Sequence, residues 1–397
     1  MIKKSFLNLD VNAGWGVDPE LWPYLETVLR DSINPSSIHQ AGQKARFQIE
    51  EARANIKKFI SAEKARVIFT SGASESNNQI LNSVFSPLIA NGEPAHLIIS
   101  AIEHMSLLEP ASKLSEKGVS LTTIHPRSLS AFEPQDFVEA LRPETKMISL
   151  MFANNETGDV LPLRDVIEAV RAVRPDILIH SDVVQALGKT TFNFAELDLD
   201  AVSISAHKLG GLPGVGALVI KDDLDILPLI HGGPQESRFR AGTENLPGIV
   251  SFGYIAAKLS QSNDSRLSKM KSNAALLKEL IFGRVPDLKL NRFHRETLPN
   301  TINIQVPSLR SDDLVVALDL QGLLISSAAA CSSGKPLPSH VLLAQGLSES
   351  EARQSIRISV SDQNSEKEIR DAAHKIVDCI TFMRSNLSNS QEAAHVS

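Results

Sequence analysis

The chain has 397 residues, 42% hydrophobic and 22% charged, the balance of a globular protein of roughly two to three domains rather than of a disordered or fibrous chain. Its 40 basic and 46 acidic residues leave a net charge of −6, and aromatics make up only 5%, so no nucleic-acid surface or base-stacking platform is expected. Two cysteines, Cys331 and Cys379, exclude a disulfide framework, and no apolar run is long enough for a membrane helix or a signal peptide, so a soluble cytoplasmic protein with no membrane partner is expected.

In chain order, strands are expected at 66–70, 96–100, 119–124, 146–151, 177–181, 200–205 and 216–220. Helical patterns fall at 75–85, 104–117, 134–142 and 163–173. This alternation predicts an α/β fold with a mostly parallel seven-stranded sheet, whose ligands bind at the carboxyl ends of the strands. Past about residue 260 the pattern changes. The polar stretch 260–272 reads as a hinge or an exposed helix start, and a helical pattern spans 264–283. Strands are expected at 300–306, 323–327 and 355–360. A last helix over 366–385 has Ile369, Ala373, Ile376, Ile380 and Met383 on one face. Residues 386–397 read as a frayed tail. The expected organisation is a large α/β domain over 15–260 and a smaller α+β domain made of 1–14 and 261–397.

Most polar candidates fall at strand ends. The run Thr70-Ser71-Gly72-Ala73-Ser74-Glu75-Ser76-Asn77 follows one strand and opens a helix. It reads either as a phosphate cradle of free helix-terminal amides or as an ordinary serine N-cap. Asp182, in His180-Ser181-Asp182-Val183-Val184-Gln185, can pair with a protonated ring nitrogen or cap the next turn. Lys208, in Ser205-Ala206-His207-Lys208, ends a strand and is followed by a glycine-rich run. A desolvated lysine there can act as a nucleophile, and a surface lysine is the alternative. Glu103-His104, the turn-like Asn154–Gly158 and the loop Arg240–Asn245 are smaller signals. Cys331 lies in the small-residue run Ala328–Pro336, a stretch expected to form a mobile loop suited to a nucleophilic thiol, with Lys335 near in sequence. Cys379 lies on the amphipathic last helix and reads as core filler. Arg357, between Ile356 and Ile358, either faces a cleft as a carboxylate ligand or makes a structural ion pair. The 11 histidines show no H-E-x-x-H or paired spacing, and no G-x-G-x-x-G follows the first strand, so neither a metal site nor a dinucleotide site is expected.

Ten segments in one order and spacing resemble the cysteine desulfurases, pyridoxal-phosphate enzymes of the class V aminotransferase group. They are NPSSIH (34–39), TSGASESNN (70–78), EH (103–104), NNETG (154–158), HSDVVQ (180–185), SAHK (205–208), GGPQE (232–236), RAGTEN (240–245), ACSSG (330–334) and IRIS (356–359). The resemblance implies a fold type I pyridoxal-phosphate enzyme. Lys208 would hold the cofactor covalently and serve as the general base. His104 would stack on its ring, Asp182 would face the pyridinium nitrogen and Gln185 the phenolic oxygen. Asn155 would lie near ring and substrate. Ala73, Ser74, Ser205 and His207 would bind the phosphate, and Thr243 would reach the phosphate of a neighbouring subunit, which implies a homodimer. Arg357 would hold the carboxylate of L-cysteine. Cys331 would accept the sulfur as a persulfide and pass it to a sulfur-acceptor or scaffold protein. The loop length around Cys331 is that of the iron–sulfur-cluster and nitrogen-fixation branch.

The chain also departs from the family. Asn12-Ala13-Gly14-Trp15-Gly16 replaces an Asn-Ala-Thr-Thr-Pro-like run, Ile33 replaces a glycine, Ser74 a threonine, Leu212-Pro213 a Pro-Lys, and Ala328-Ala329 a Gly-Ser. The segment from Asn12 to Gly16 borders the substrate cleft in relatives. The alternatives are another pyridoxal-phosphate reaction on a small amino acid, such as selenocysteine lysis or β-elimination, or a non-catalytic scaffold that kept the fold.

Overall fold

The computed structural model describes residues 6–31, 33–127, 132–293, 296–327, 330–332 and 335–395; the side chains at 263, 330–336 and 388–395 lie outside that description. Ala328-Ala329, Ser333, Gly334 and the side chain of Cys331 are therefore outside the described part.

Seven strands form one sheet: β1 (Arg66–Thr70), β2 (His96–Ser100), β3 (Ser120–Ile124), β4 (Thr145–Ser149), β5 (Leu178–Asp182), β6 (Ala201–Ser205) and β7 (Gly216–Ile220). Their spatial order is β1-β7-β6-β5-β4-β2-β3. Pairing from β6 through β5, β4 and β2 to β3 is parallel, and β7 runs antiparallel to both β1 and β6. The inner strands are buried along nearly all of their length because both faces are covered, whereas the edge strand β3 (SLTTI) is mostly half-buried. Val67, Phe69, Ile98, Ile148 and Ile179 point into one core; Ile68, Leu97, Ile99 and Met147 point into the other. Helices Ala73–Asn91 and Met105–Glu116 cover the second face with Ile80, Leu81, Phe85, Leu107 and Ala111. Helix Leu163–Val173 covers the first with Leu163, Val166, Ile167 and Val170, the i, i+3, i+4, i+7 stripe of an amphipathic helix.

A separate core joins Leu9, the end of a long helix, the strands Thr301–Gln305 and Ser355–Ser359, and the last helix. Thr301–Gln305 pairs antiparallel with Ser355–Ser359, which also pairs with Ser326–Ser327. The N-terminal Leu7–Asn8 pairs in parallel with Leu323–Leu324.

Four sequence expectations need correction. The helix expected to start at 264 starts at Leu246, where Asn245 caps it, and runs to Phe282. The stretch 260–272 is neither hinge loop nor helix start; it lies inside this helix, with one non-helical residue, Ser262. Its polarity reflects exposure, because residues 260–262 cross between two cores and touch neither. The expected frayed tail is helical to His395, carried on from a turn anchored by Ile369, Ile376 and Ile380. The run around Cys331 is not an irregular loop: Ala330–Ser332 pairs antiparallel with Lys335–Leu337, placing Cys331 opposite Pro336. Helices Trp22–Asp31, Gln40–Phe59 and Ser311–Leu320 and the short His340–Ala344 and Glu349–Arg353 had no counterpart in the sequence reading. Of these, Gln40–Phe59 buries mainly Ala45, Ile49, Ala52 and Ile56, a thin stripe of partly small residues that gives little apolar signal.

Candidate active site

The carboxyl ends of β1, β2, β4, β5 and β6 open onto one cavity of about 370 Å³, within the about 300–1,000 Å³ of small-molecule sites. Every residue expected to contact the cofactor, apart from Thr243, lines it: Ala73, Ser74, His104, Asn155, Asp182, Gln185, Ser205, His207 and Lys208. Parallel strands place their carboxyl ends on one edge, so loops far apart in sequence meet there.

Lys208 ends a single helical turn directly after β6. Its Nζ donates to the carbonyls of Asn12 (2.7 Å) and Ala13 (2.8 Å). Burial, with Arg357 adding to it, pulls its pKa down to about 8 against the pull of Asp10 and Asp182. The neutral, nucleophilic amine is then far more populated near neutral pH than on a free lysine.

Across the cavity Asp182 is buried at the end of β5. Its Oδ2 accepts from Asn77 Nδ2 at 2.9 Å and its Oδ1 from the Val184 amide at 3.1 Å. Two donors fix the carboxylate and leave it facing the pocket as an acceptor. Asn77 also donates to Ser106 Oγ at 2.8 Å, and Ser106 bonds His104 Nδ1 at 2.8 Å. His104 caps helix Met105–Glu116 by accepting from the Ser106 amide at 3.1 Å. Burial lowers the imidazole's pKa, with Asp182 opposing. Before it, Glu103 is fully buried; its Oε1 accepts from Ser100 Oγ (2.6 Å) and the Met151 amide (2.8 Å), while Oε2 has no partner. Burial pushes Glu103 up to about 8, so it is a neutral acid at pH 7.

Helix Ala73–Asn91 starts with no side chain capping its first amides. Such free N–H groups at the positive end of a helix dipole suit an anion. The turn stands open because a Cβ on Gly72 would meet nothing within 4 Å. Behind it, a Cβ on Gly216 would lie 2.7 Å from the Gly72 Cα, so only glycine lets β7 back the turn this closely. Ser205 Oγ and His207 Nδ1 bond at 2.9 Å on the same side. Burial, then Lys208, lowers His207 to about 4, so it is neutral at pH 7. This donor set fits pyridoxal phosphate: an anion cradle at one end, an amine free of carboxylate bonds, and a fixed carboxylate facing the ring.

Three expected residues lie outside this lining. Arg357 is buried behind Asn155, donating to its carbonyl (3.1 Å) and to Asp10 Oδ1 (2.6 Å), while its Nε has no partner. Of the two sequence readings, the described chain has the ion pair. Thr243 is exposed on the loop Arg240–Asn245, which Arg240 ties to Glu75 at 3.0 Å. Cys331 is on its hairpin, whose exit is moored to the site: Ser339 Oγ bonds the Glu156 carboxylate and His340 Nε2 pairs with the Glu103 carbonyl at 3.0 Å. Cys379 is buried in the last helix, where burial raises its pKa and leaves the unreactive thiol form.

Sequence reasoning gave no role to Asn12, Asn77 or Lys189, which brace the pocket. Lys189 stands four residues after Gln185, a spacing that could have flagged it. The unusual Trp15 is buried; its amide donates to the His207 carbonyl at 3.0 Å, and the Arg266 guanidinium lies 4.1 Å from the ring centroid.

Residues 24–371 match the family model described as Aminotransferase class-V. "Cysteine desulfurase IscS" of Dictyoglomus turgidum is 37% identical over 90% of this chain and 90% of its own length. "Putative cysteine desulfurase IscS 1" of Bacillus subtilis is 34% identical over 87% of this chain and 91% of its own. Among solved structures, one titled "NIFS-LIKE PROTEIN" superposes with a TM-score of 0.88 at 30% identity, over 95% of this chain and 100% of that one.

Proposed function

The chain belongs to the class-V aminotransferase family and, within it, to the cysteine desulfurases, and on that premise we propose that it binds pyridoxal 5'-phosphate and moves the sulfur of L-cysteine to an acceptor or scaffold protein through a persulfide on Cys331. The observation that carries this reading is one cavity holding a lysine with a pKa of about 8, a donor-fixed carboxylate and an uncapped helix N-terminus.

Bound there, pyridoxal phosphate would supply an electron sink for charge developing at the substrate Cα. Lys208 Nζ would hold the cofactor and would serve as the general base that takes the substrate Cα proton. Asp182, steadied by Asn77 and the Val184 amide, would keep a proton on the ring nitrogen. Gln185 would donate to the phenolic oxygen, His104 would lie against the ring, and Asn155 would sit near the substrate. The Ala73 and Ser74 end of the helix, with Ser205 and His207, holds the phosphate. Arg357 takes the substrate carboxylate in exchange for Asp10. Cys331, as thiolate, would attack the substrate sulfur; an S–S bond forms as the Cβ–S bond breaks, its electron pair goes to Cβ, which takes a proton from solvent, and return of the Cα proton from Lys208 completes alanine. Thr243, exposed and outside its own cavity, reaches the phosphate in a second copy, making a homodimer. A free thiolate suits the cytoplasm. We place the division between the large domain (15–260) and the small one (1–14 with 261–397) at the Ser262 kink.

The test is cysteine-dependent release of alanine and sulfide by the purified protein loaded with pyridoxal phosphate. Turnover is expected, with its loss in Cys331→Ala while the visible cofactor band stays. A fully active Cys331→Ala enzyme overturns the persulfide route, and a protein that takes up no pyridoxal phosphate overturns the reading as a whole.

A further inference from the structure

Lys189 is 1% exposed, among the most deeply buried charged side chains of the chain. Its Nζ meets two amide oxygens: Gln185 Oε1 and Asn12 Oδ1, the latter at 3.1 Å. Gln185 in turn points its Nε2 at the Asn12 carbonyl at 3.0 Å, the same oxygen that accepts from Lys208 Nζ at 2.7 Å. Asn12 is held from the other side by Asn300 Nδ2 (3.0 Å) and by Ser359 Oγ, which accepts from its amide (3.0 Å).

A side-chain amide can sit either way round, with its oxygen or its nitrogen toward a given neighbour. At Gln185 that choice decides whether the pocket receives a donor or an acceptor. Lys189 Nζ donates to Oε1 on one side, and the Asn12 carbonyl, which can only accept, takes Nε2 on the other, so the amide lies with Oε1 toward Lys189 and Nε2 toward the Asn12 carbonyl beside Lys208. The same ammonium or amine also fixes Asn12, whose carbonyl anchors Lys208.

We propose that Lys189 is a positioning residue, which sets the donor direction of Gln185 toward the phenolic oxygen of the cofactor and, through Asn12, the resting place of Lys208. This rests on the pyridoxal-phosphate reading given above. Burial foremost, then Lys208, Arg266 and Arg357, hold its pKa well below the usual lysine value. The Trp15 ring, 5.9 Å from Nζ, closes the side away from the cavity.

The experiment compares Lys189→Met, Lys189→Gln, Gln185→Leu and the double variant Lys189→Met/Gln185→Leu in full-length protein loaded with pyridoxal phosphate. The readouts are the wavelength and pH midpoint of the visible cofactor band, with kcat and KM for cysteine alongside. Lys189→Met should displace the band in the same direction as Gln185→Leu and lower kcat about tenfold at little change in KM. The double variant should match Gln185→Leu rather than sum the two losses. Lys189→Gln, which keeps a donor for Gln185 Oε1, should restore the band to its original position. A band unmoved in Lys189→Met, or additive losses in the double variant, overturns the proposal while leaving the cofactor reading intact; a parent protein that develops no band overturns the cofactor reading instead. If Lys189→Met does not fold, Lys189→Gln decides alone: a folded variant with the parent band supports positioning, and one with the displaced band of Gln185→Leu overturns it.

Discussion

Around Lys208 each polar group is braced by another. Asn77 and the Val184 amide hold Asp182, Lys189 holds Gln185, and two carbonyls hold Lys208 itself. Cys331 has a different setting: a three-residue strand paired with Lys335–Leu337 in a sheet of two strands. A hairpin of that size is marginal by its own pairing, and its exit is tied to the site by Ser339 and His340 alone among the contacts described above. The contrast separates two tasks. Proton transfer at the cofactor needs fixed geometry over a few tenths of an ångström. Passing sulfur to another protein needs a thiol on an element whose position is not dictated by the sheet.

Variants can break this division of labour, and the largest effect falls on the braced side. Lys208→Ala should abolish the visible cofactor band and lower alanine formation by about 10⁴-fold, measured by absorbance and by alanine release. Cys331→Ala should lower alanine formation about 10³-fold yet keep the band and its response to cysteine. If it also loses the band, the two regions are one unit and the comparison fails. Asp182→Ala should keep binding but reduce kcat about 10²-fold, since it removes the carboxylate that would keep the ring nitrogen protonated and the cofactor an effective electron sink.

The pKa of Lys208 gives a subtler test. Because only its neutral amine attacks the cofactor aldehyde, the rate of cofactor loading should rise with pH around a midpoint near 8 rather than near 10.5. Stability moves in the same direction. Between about 8 and 10.5 the unfolded chain carries more protons on this lysine than the folded one, so its contribution makes the apo-protein more stable as pH rises through that window. Stopped-flow absorbance and denaturant titrations check the two halves. The smallest effect is expected at the other thiol. Cys379→Ala should cost about 1 kcal/mol of stability through lost packing and leave sulfur release unchanged, read by thermal melting and by the sulfide assay.

The sheet was legible because its inner strands are buried on both faces and read as short apolar runs; β1, β2 and β7 fall on the expected residues. The pocket was legible because motif residues cluster at strand ends, and the sheet brings those ends together. What the sequence concealed has physical causes. Gln40–Phe59 packs through alanines and isolated isoleucines, so its periodicity is faint. Residues 260–262 look like a break because they are solvated, yet hydrogen bonding along a helix anchored at both ends carries the chain through. Lys189 hides because a lone lysine reads as surface until its two amide partners, one of them 177 positions away, are seen. Arg357 kept both its readings open until Asp10 appeared beside it.

The helix Leu246–Phe282 also governs how far the molecule can be taken apart. Ile249, Val250, Phe252 and Ile255 on its first half belong to the core of the large sheet, while Ala274, Leu277 and Ile281 on its second half belong to the small one. A cut at residue 260 would sever one helix and leave each fragment with an unpaired apolar stripe. The N-terminal strand adds a second tie, since Leu7–Asn8 is sewn into the small half beside Leu323–Leu324. The two lobes are therefore not interchangeable modules, and exchanging the thiol-bearing lobe with that of a relative would require carrying both the N-terminal segment and a whole helix with it.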